Sequence, residues 1–168
     1  DDDETWIDAL PGVERSQITE LTISSGGERL TLSLREEAWQ ITAPIQAPAD
    51  HEQVRTLLGS LEDLECGDDL EATAAAGFGL EPARWTVTLL ADEQEHTLRL
   101  GAAAPVGDRT YVQCTDDAVR TTTSRIVDDL SAAADDFRSR AVARFPISAL
   151  TALSVTLPVV SSEAELTA

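Results

Sequence analysis

Leu21-Thr22-Ile23-Ser24-Ser25-Gly26-Gly27-Glu28-Arg29-Leu30-Thr31-Leu32-Ser33-Leu34 is the stretch that decides the fold. Leu21 and Ile23 alternate with polar residues, Gly26-Gly27 interrupts, and Leu30, Leu32 and Leu34 alternate again. A period of two puts every second side chain on one side of a strand, and paired glycines suit a tight hairpin turn. The stretch is therefore a β-hairpin with one apolar side, reaching back to Thr19. Glu36-Glu37 turns the chain once more, and Trp39 and Ile41 mark a third short strand. Together these make a three-stranded antiparallel meander.

The apolar side of such a sheet needs a cover. Asp50 is a good helix N-cap, and Gln53, three residues on, completes a capping-box-like pair. Val54, Leu57, Leu58, Leu61 and Leu64 follow at helical spacing and form one stripe, which is expected to lie on the meander. Cys66-Gly67 is read as the end of this helix. Residues 68–77 are acidic and then alanine-rich, and a short helical turn is expected before Gly77.

The plan then repeats. Trp85, Val87 and Leu89 fit one face of a strand and Thr86, Thr88 and Leu90 the other. Asp92-Glu93 begins a turn, Leu98 and Leu100 mark the returning strand, Tyr111-Val112 a third and Val119 to Thr122 a fourth. A helix is expected from about Thr123, with Ile126, Val127, Leu130, Ala134 and Phe137 on one side. The fold class is α+β: two tandem antiparallel β-meander-plus-helix halves packed as one unit. The organisation reads as a flexible lead-in (1–16), a first half (17–67), a connector (68–83), a second half (84–145) and a terminal strand (146–168). That last segment echoes the first hairpin, since Leu150 to Thr156 resembles Ile18 to Ser24; it reads as the start of a further repeat or, alternatively, as a strand that returns to the first sheet.

Composition limits what the domain does. The chain has 168 residues, 42% of them hydrophobic but only 4% aromatic, so its core is built from Leu, Val, Ile and Ala. No apolar run approaches the roughly 18 residues of a membrane span, and no signal peptide opens the sequence. The net charge is -19, from 31 acidic and 12 basic residues. Every basic residue is Arg, and Lys, Asn and Met are absent, the pattern of a GC-rich genome. An acidic surface of this kind argues against nucleic acid, whose phosphates need a basic face, and equally against docking on anionic lipid. It reads as a solvated, self-repelling surface.

Few residues suggest chemistry. Asp68-Asp69, Asp116-Asp117, Asp128-Asp129 and Asp135-Asp136 offer oxygen donors, but none fits the alternating ligands of a calcium loop, so they read as solvated turns and helix faces. His51 and His96 are the only histidines, there is no GxSxG, and both read as exposed polar positions. Gly77-x-Gly79 lacks the context of a dinucleotide fingerprint. Cys66 and Cys114 form no zinc motif. A disulfide between them requires the segment after the first helix to lie beside the strand near Tyr111, and buried free thiols are the favoured reading. Trp39 and Trp85 read as core anchors. Arg138, Arg140 and Arg144 put three of the 12 basic residues within seven positions. They suit a grip on an acidic partner or phosphate, though neutralising the helix C-terminus and Asp135-Asp136 is the favoured role. No catalytic, cofactor-binding or metal-binding residue is assigned.

The ordered landmarks resemble the DUF4340 family. They are Trp39-x-Ile41, Pro48-Ala49-Asp50, Phe78-Gly79-Leu80-Glu81-Pro82 before Thr86-Val87-Thr88-Leu89, Leu98-Arg99-Leu100-Gly101, Tyr111-Val112, and Phe137-Arg138 through Phe145. The resemblance spans about residues 17–157. It implies a domain outside the cytoplasmic membrane, tethered by an N-terminal helix, and linked to ABC-type transporters and gliding-motility systems. No catalytic residue comes with it. The expectation is a non-enzymatic extracytoplasmic interaction module with a protein partner, no cofactor and no nucleic acid, contacting the membrane only through an anchor. Sheet edges and the Arg138 region are the expected contact surfaces. The alternative is a small-ligand domain holding a lipid or glycan between sheet and helix.

Overall fold

The computed structural model describes residues 7–70, 75–114 and 116–141. The strands are β1 (Ile7–Asp8), β2 (Ile18–Ser25), β3 (Glu28–Arg35), β4 (Ala38–Ala43), β5 (Ala47–Pro48), β6 (Glu65–Cys66), β7 (Trp85–Ala91), β8 (Gln94–Ala103), β9 (Arg109–Gln113) and β10 (Val119–Thr123). The helices are α1 (His51–Glu62) and α2 (Arg125–Ala141), with 3-10 turns at Arg15–Gln17 and Ala75–Phe78. The fold is α+β, mostly antiparallel sheet with two helices.

The strands make one ten-stranded sheet in the order β1-β6-β10-β9-β8-β7-β2-β3-β4-β5. Leu21 sits opposite Leu32 on one side and Leu89 on the other, and Ile23 sits between Leu30 and Val87. Period-two alternation thus runs straight across the β2–β7 junction, and all six of these side chains are buried. Three two-residue turns join neighbouring strands. Gly26-Gly27 adopts positive φ freely, whereas Glu36-Glu37 and Asp92-Glu93 adopt it with side chains attached. A chain without Asn lacks the residue that best shares such turns with Gly.

Both helices contribute to a single core on one face of the sheet. Val54, Leu57, Leu58 and Leu61 of α1 and Ile126 and Leu130 of α2 cluster with Leu21, Leu32, Val87, Leu98 and Val112. Burial of each such side chain stabilises by about 1.5–3 kcal/mol. Trp39 is buried, and Trp85 packs half-buried against the same core. Asp50 caps α1 as its sequence requires, accepting from the Glu52 and Gln53 amides at 3.0 and 3.3 Å.

The structure departs from the sequence reading in four places. Gln53 does not reach back to close a capping box; its amide Nε2 donates instead to Asp136 Oδ2 on α2 at 2.8 Å. α1 ends at Glu62 rather than Cys66-Gly67. Leu64 keeps the apolar spacing, but the backbone has already left the helix to pair with β1 and β10, with Ala9 N–H donating to Leu64 O and Gly67 N–H to Thr121 O. Residues 7–16, read as part of a flexible lead-in, join the fold: Ala9 and Leu10 are buried and β1 pairs with β6. The sheet's described edges, β1 and β5, are only two residues each, and β5 carries Pro48, so they offer little ladder to an added strand. The terminal strand read over 146–168, with its echo of the first hairpin, lies outside the described residues.

The loop at residues 78–82 explains several landmarks together. Phe78 lies on Tyr111 of β9, ring centroids 4.5 Å apart. Gly79 has a φ of 69°, and a Cβ there would stand 3.0 Å from the Ala102 backbone nitrogen. A Cβ on Gly101 of β8 would collide with the Phe78 carbonyl oxygen. Leu80 is buried. Gly101 therefore lets the loop seat flat on β8. Gly101→Ala is expected to destabilise the protein by about 2 kcal/mol in urea unfolding with an unchanged m-value, because backbone atoms must shift to admit the methyl. The same substitution at Gly59, whose Cβ would meet only the Arg15 guanidinium at 3.7 Å or more, is the tolerated control.

Candidate functional site

Two clusters of charged side chains stand out on this scaffold. The first is an open groove of about 660 Å³ between α1 and the start of α2. Its charged lining is Arg15, Glu52, Arg55, Asp63, Arg125 and Asp129. Arg15 is fixed: its Nε and Nη2 donate to Glu62 Oε2 at 3.0 and 2.6 Å, which ties the 3-10 turn to the end of α1. That pair holds the Glu62 carboxyl below the usual glutamate range. Arg55 and Arg125 are exposed and make no ion pair among the described residues. The groove thus offers two free guanidiniums, flanked by carboxylates, on a chain whose overall charge is strongly negative.

The second cluster lies where β6, β9 and β10 meet. Arg120 of β10 is only 6% exposed. Its Nε donates to Asp69, and its Nη1 and Nη2 donate to the two carboxylate oxygens of Asp116 at 3.0 and 2.6 Å. The fork-on-fork geometry pushes the arginine further up and holds Asp116 below the usual carboxylate range, with the Ala118 amide adding to the latter. Two of the acidic pairs therefore do more than face solvent: one member of each neutralises a buried arginine. On the inner side of Arg120 lie the two cysteines, both buried, with Sγ atoms 3.4 Å apart. The Cys66 thiol, hydrogen-bonded to Cys114 and buried, is pushed far up. Cys114 is lowered, by that same hydrogen bond and by the Arg120 guanidinium beside it. The segment after α1 pairs with β10, the neighbour of the Tyr111 strand, and the two cysteines stand as buried free thiols, the reading the sequence favoured.

Other sequence candidates fall elsewhere. Arg138 and Arg140 are in the last turns of α2, with side chains outside the described residues, and Arg144 lies beyond the described residues altogether. His51 is exposed at the start of α1, while His96 is half-buried on β8 opposite Leu89 rather than exposed. Among the described residues, no group of three or more His, Cys, Asp or Glu is placed to hold a metal ion, and no helix is long and apolar enough to cross a membrane. Arg55, Arg120 and Arg125 carry no motif, and only the helix and strand phases bring them to these sites.

A single antiparallel sheet with two covering helices and two clusters of charged side chains defines an α+β domain with no assigned chemistry. The family model for the domain of unknown function DUF4340 matches residues 39–167, and the chain belongs to that family. No curated protein and no solved structure matches it.

Asp116 makes the second cluster testable. Its folded-state pKa lies below the ordinary 3.8, so the stability it contributes is present above that value and is lost as pH falls through the folded one. Its side chain is 55% exposed, so solvent screening limits the effect to about 1 kcal/mol. Asp116→Asn is expected to be less stable than wild type at pH 7 and to lose less stability between about pH 5 and pH 2, measured by urea unfolding at each pH.

Proposed function

We propose that this domain is a non-enzymatic, extracytoplasmic interaction module, an auxiliary part of an ABC-type transporter or envelope complex, tethered by a membrane anchor in the whole protein. In this reading the two meander-plus-helix halves, 17–67 and 84–145, act as one rigid unit that presents a surface to a protein partner. The observation that carries it is the α1–α2 groove, where Arg55 and Arg125 make no ion pair among the described residues of a chain of net charge -19. Guanidiniums flanked by carboxylates suit a partner surface of mixed charge, because they give register and orientation and repel wrong partners. The space between sheet and helices favours this reading over a lipid or glycan held there. Val54, Leu57, Leu58, Leu61, Ile126 and Leu130 fill it and are each at most 4% exposed. The short described edges move the expected contact from the sheet edges to the helix side.

Photo-crosslinking in native envelopes tests the proposal. A crosslinking side chain at Arg55 or Arg125 is expected to capture a transporter or envelope subunit in high yield, identified by mass spectrometry. One at Thr88, on the uncovered face of β7, is expected to capture little. Equal capture from both faces, or recovery of a bound lipid or glycan with no protein adduct, contradicts it.

A further inference from the structure

Cys66 and Cys114 are separated by 48 positions, yet their sulfurs touch at 3.4 Å beside a buried guanidinium. We propose that they are a disulfide-forming pair, oxidised by exchange with an incoming disulfide, and that Cys114 is the sulfur that reacts first. The inference goes beyond the interaction reading and does not depend on it.

Three observations support it. The two sulfurs already lie 3.4 Å apart, within about 1.5 Å of the roughly 2.0 Å of a disulfide. The two thiols are not equivalent. Cys66 is 0% exposed, whereas Cys114 is 5% exposed and opens the turn between β9 and β10, where the Asp117 amide donates to the Cys114 carbonyl at 3.0 Å. Finally, the thiolate is the nucleophile in exchange, and Arg120 together with the Cys66 S–H stabilises negative charge on Cys114. A structural cysteine in apolar surroundings has no such neighbours and stays inert.

The steps balance. Cys114 thiolate attacks one sulfur of the incoming disulfide, forms a mixed disulfide and expels the other sulfur as a thiolate. Cys66 then loses its proton and attacks Cys114 Sγ, forming the Cys66–Cys114 bond and expelling the second thiolate. The protein loses two protons and two electrons, and the incoming disulfide leaves as two thiols. The new bond ties β6 to the end of β9 across a long loop, and oxidising compartments maintain such bonds.

The test uses reduced, folded protein and oxidised glutathione. The expected main product lacks two hydrogen atoms in mass and carries no glutathione. Its Tm is higher by about 10 °C and returns on reduction. Cys66→Ser is expected to trap glutathione on Cys114, and Cys114→Ser to react at Cys66 about tenfold more slowly. A folded protein that stays dithiol under conditions where its urea-unfolded form oxidises would overturn the proposal, and so would a product that carries only glutathione adducts. Faster reaction at Cys66 than at Cys114 would overturn the assigned order. Exchange on the purified chain reads the pair alone, whereas envelope crosslinking reads the partner, so the two proposals fail separately.

Discussion

The pairing of β2 with β7 is the constraint on which the rest of the structure depends. It joins Leu21 to Leu89 and Ile23 to Val87, residues more than 60 positions apart, and so turns two local meanders into one sheet. Without it each meander would present a bare strand edge and a core too small to hold a helix firmly. With it the apolar faces of both meanders become continuous, and α1 and α2 fall on the same side. Their contact then creates the groove that holds Arg55 and Arg125. The loop-closure entropy of such a long connection is offset only when the sheet and its core form together.

Charge shapes the surface of this scaffold as much as its solubility. The chain carries far more acid than base, and among the described residues Arg15 and Arg120 are held by carboxylates. Arg120 takes two, and can therefore be buried at β10 without an uncompensated charge. Arg15 takes Glu62 and anchors the N-terminal turn to α1. Among the described residues Arg55 and Arg125 make no ion pair, and they share one groove. The buried guanidinium of Arg120 has a second consequence, because it polarises the cysteine pair packed beneath it.

Much of the fold was legible in the sequence, and the reasons are local. Strands β2, β3, β7 and β8 announce themselves because one face is buried and the other is threonine and charge, which yields a clean period of two. α1 was readable from Asp50 and its leucine stripe. Legibility ended where tertiary pairing overrides local pattern. Leu64 keeps helical spacing but belongs to the strand connection, and Gln53 bonds across to Asp136 instead of back to its own cap. Ala9 and Leu10 are buried only because β1 adds to β6, which nothing in their own sequence signals. The landmark residues Phe78, Gly79, Gly101 and Tyr111 were visible one by one, and their convergence was not. The groove was the least legible part, since Arg55 and Arg125 carry no spacing signal and meet only through the α1–α2 contact.

Native-state amide hydrogen exchange tests the central claim most directly. If β2–β7 pairing makes the two meanders one unit, the β2 and β7 amides that are bonded across that junction exchange only through global unfolding. Their free energies of exchange then equal one another and equal the urea-unfolding value. Exchange of residues 18–43 at a markedly lower free energy than residues 85–123, or the reverse, would mean that the halves open independently. It would contradict the account of a single continuous sheet.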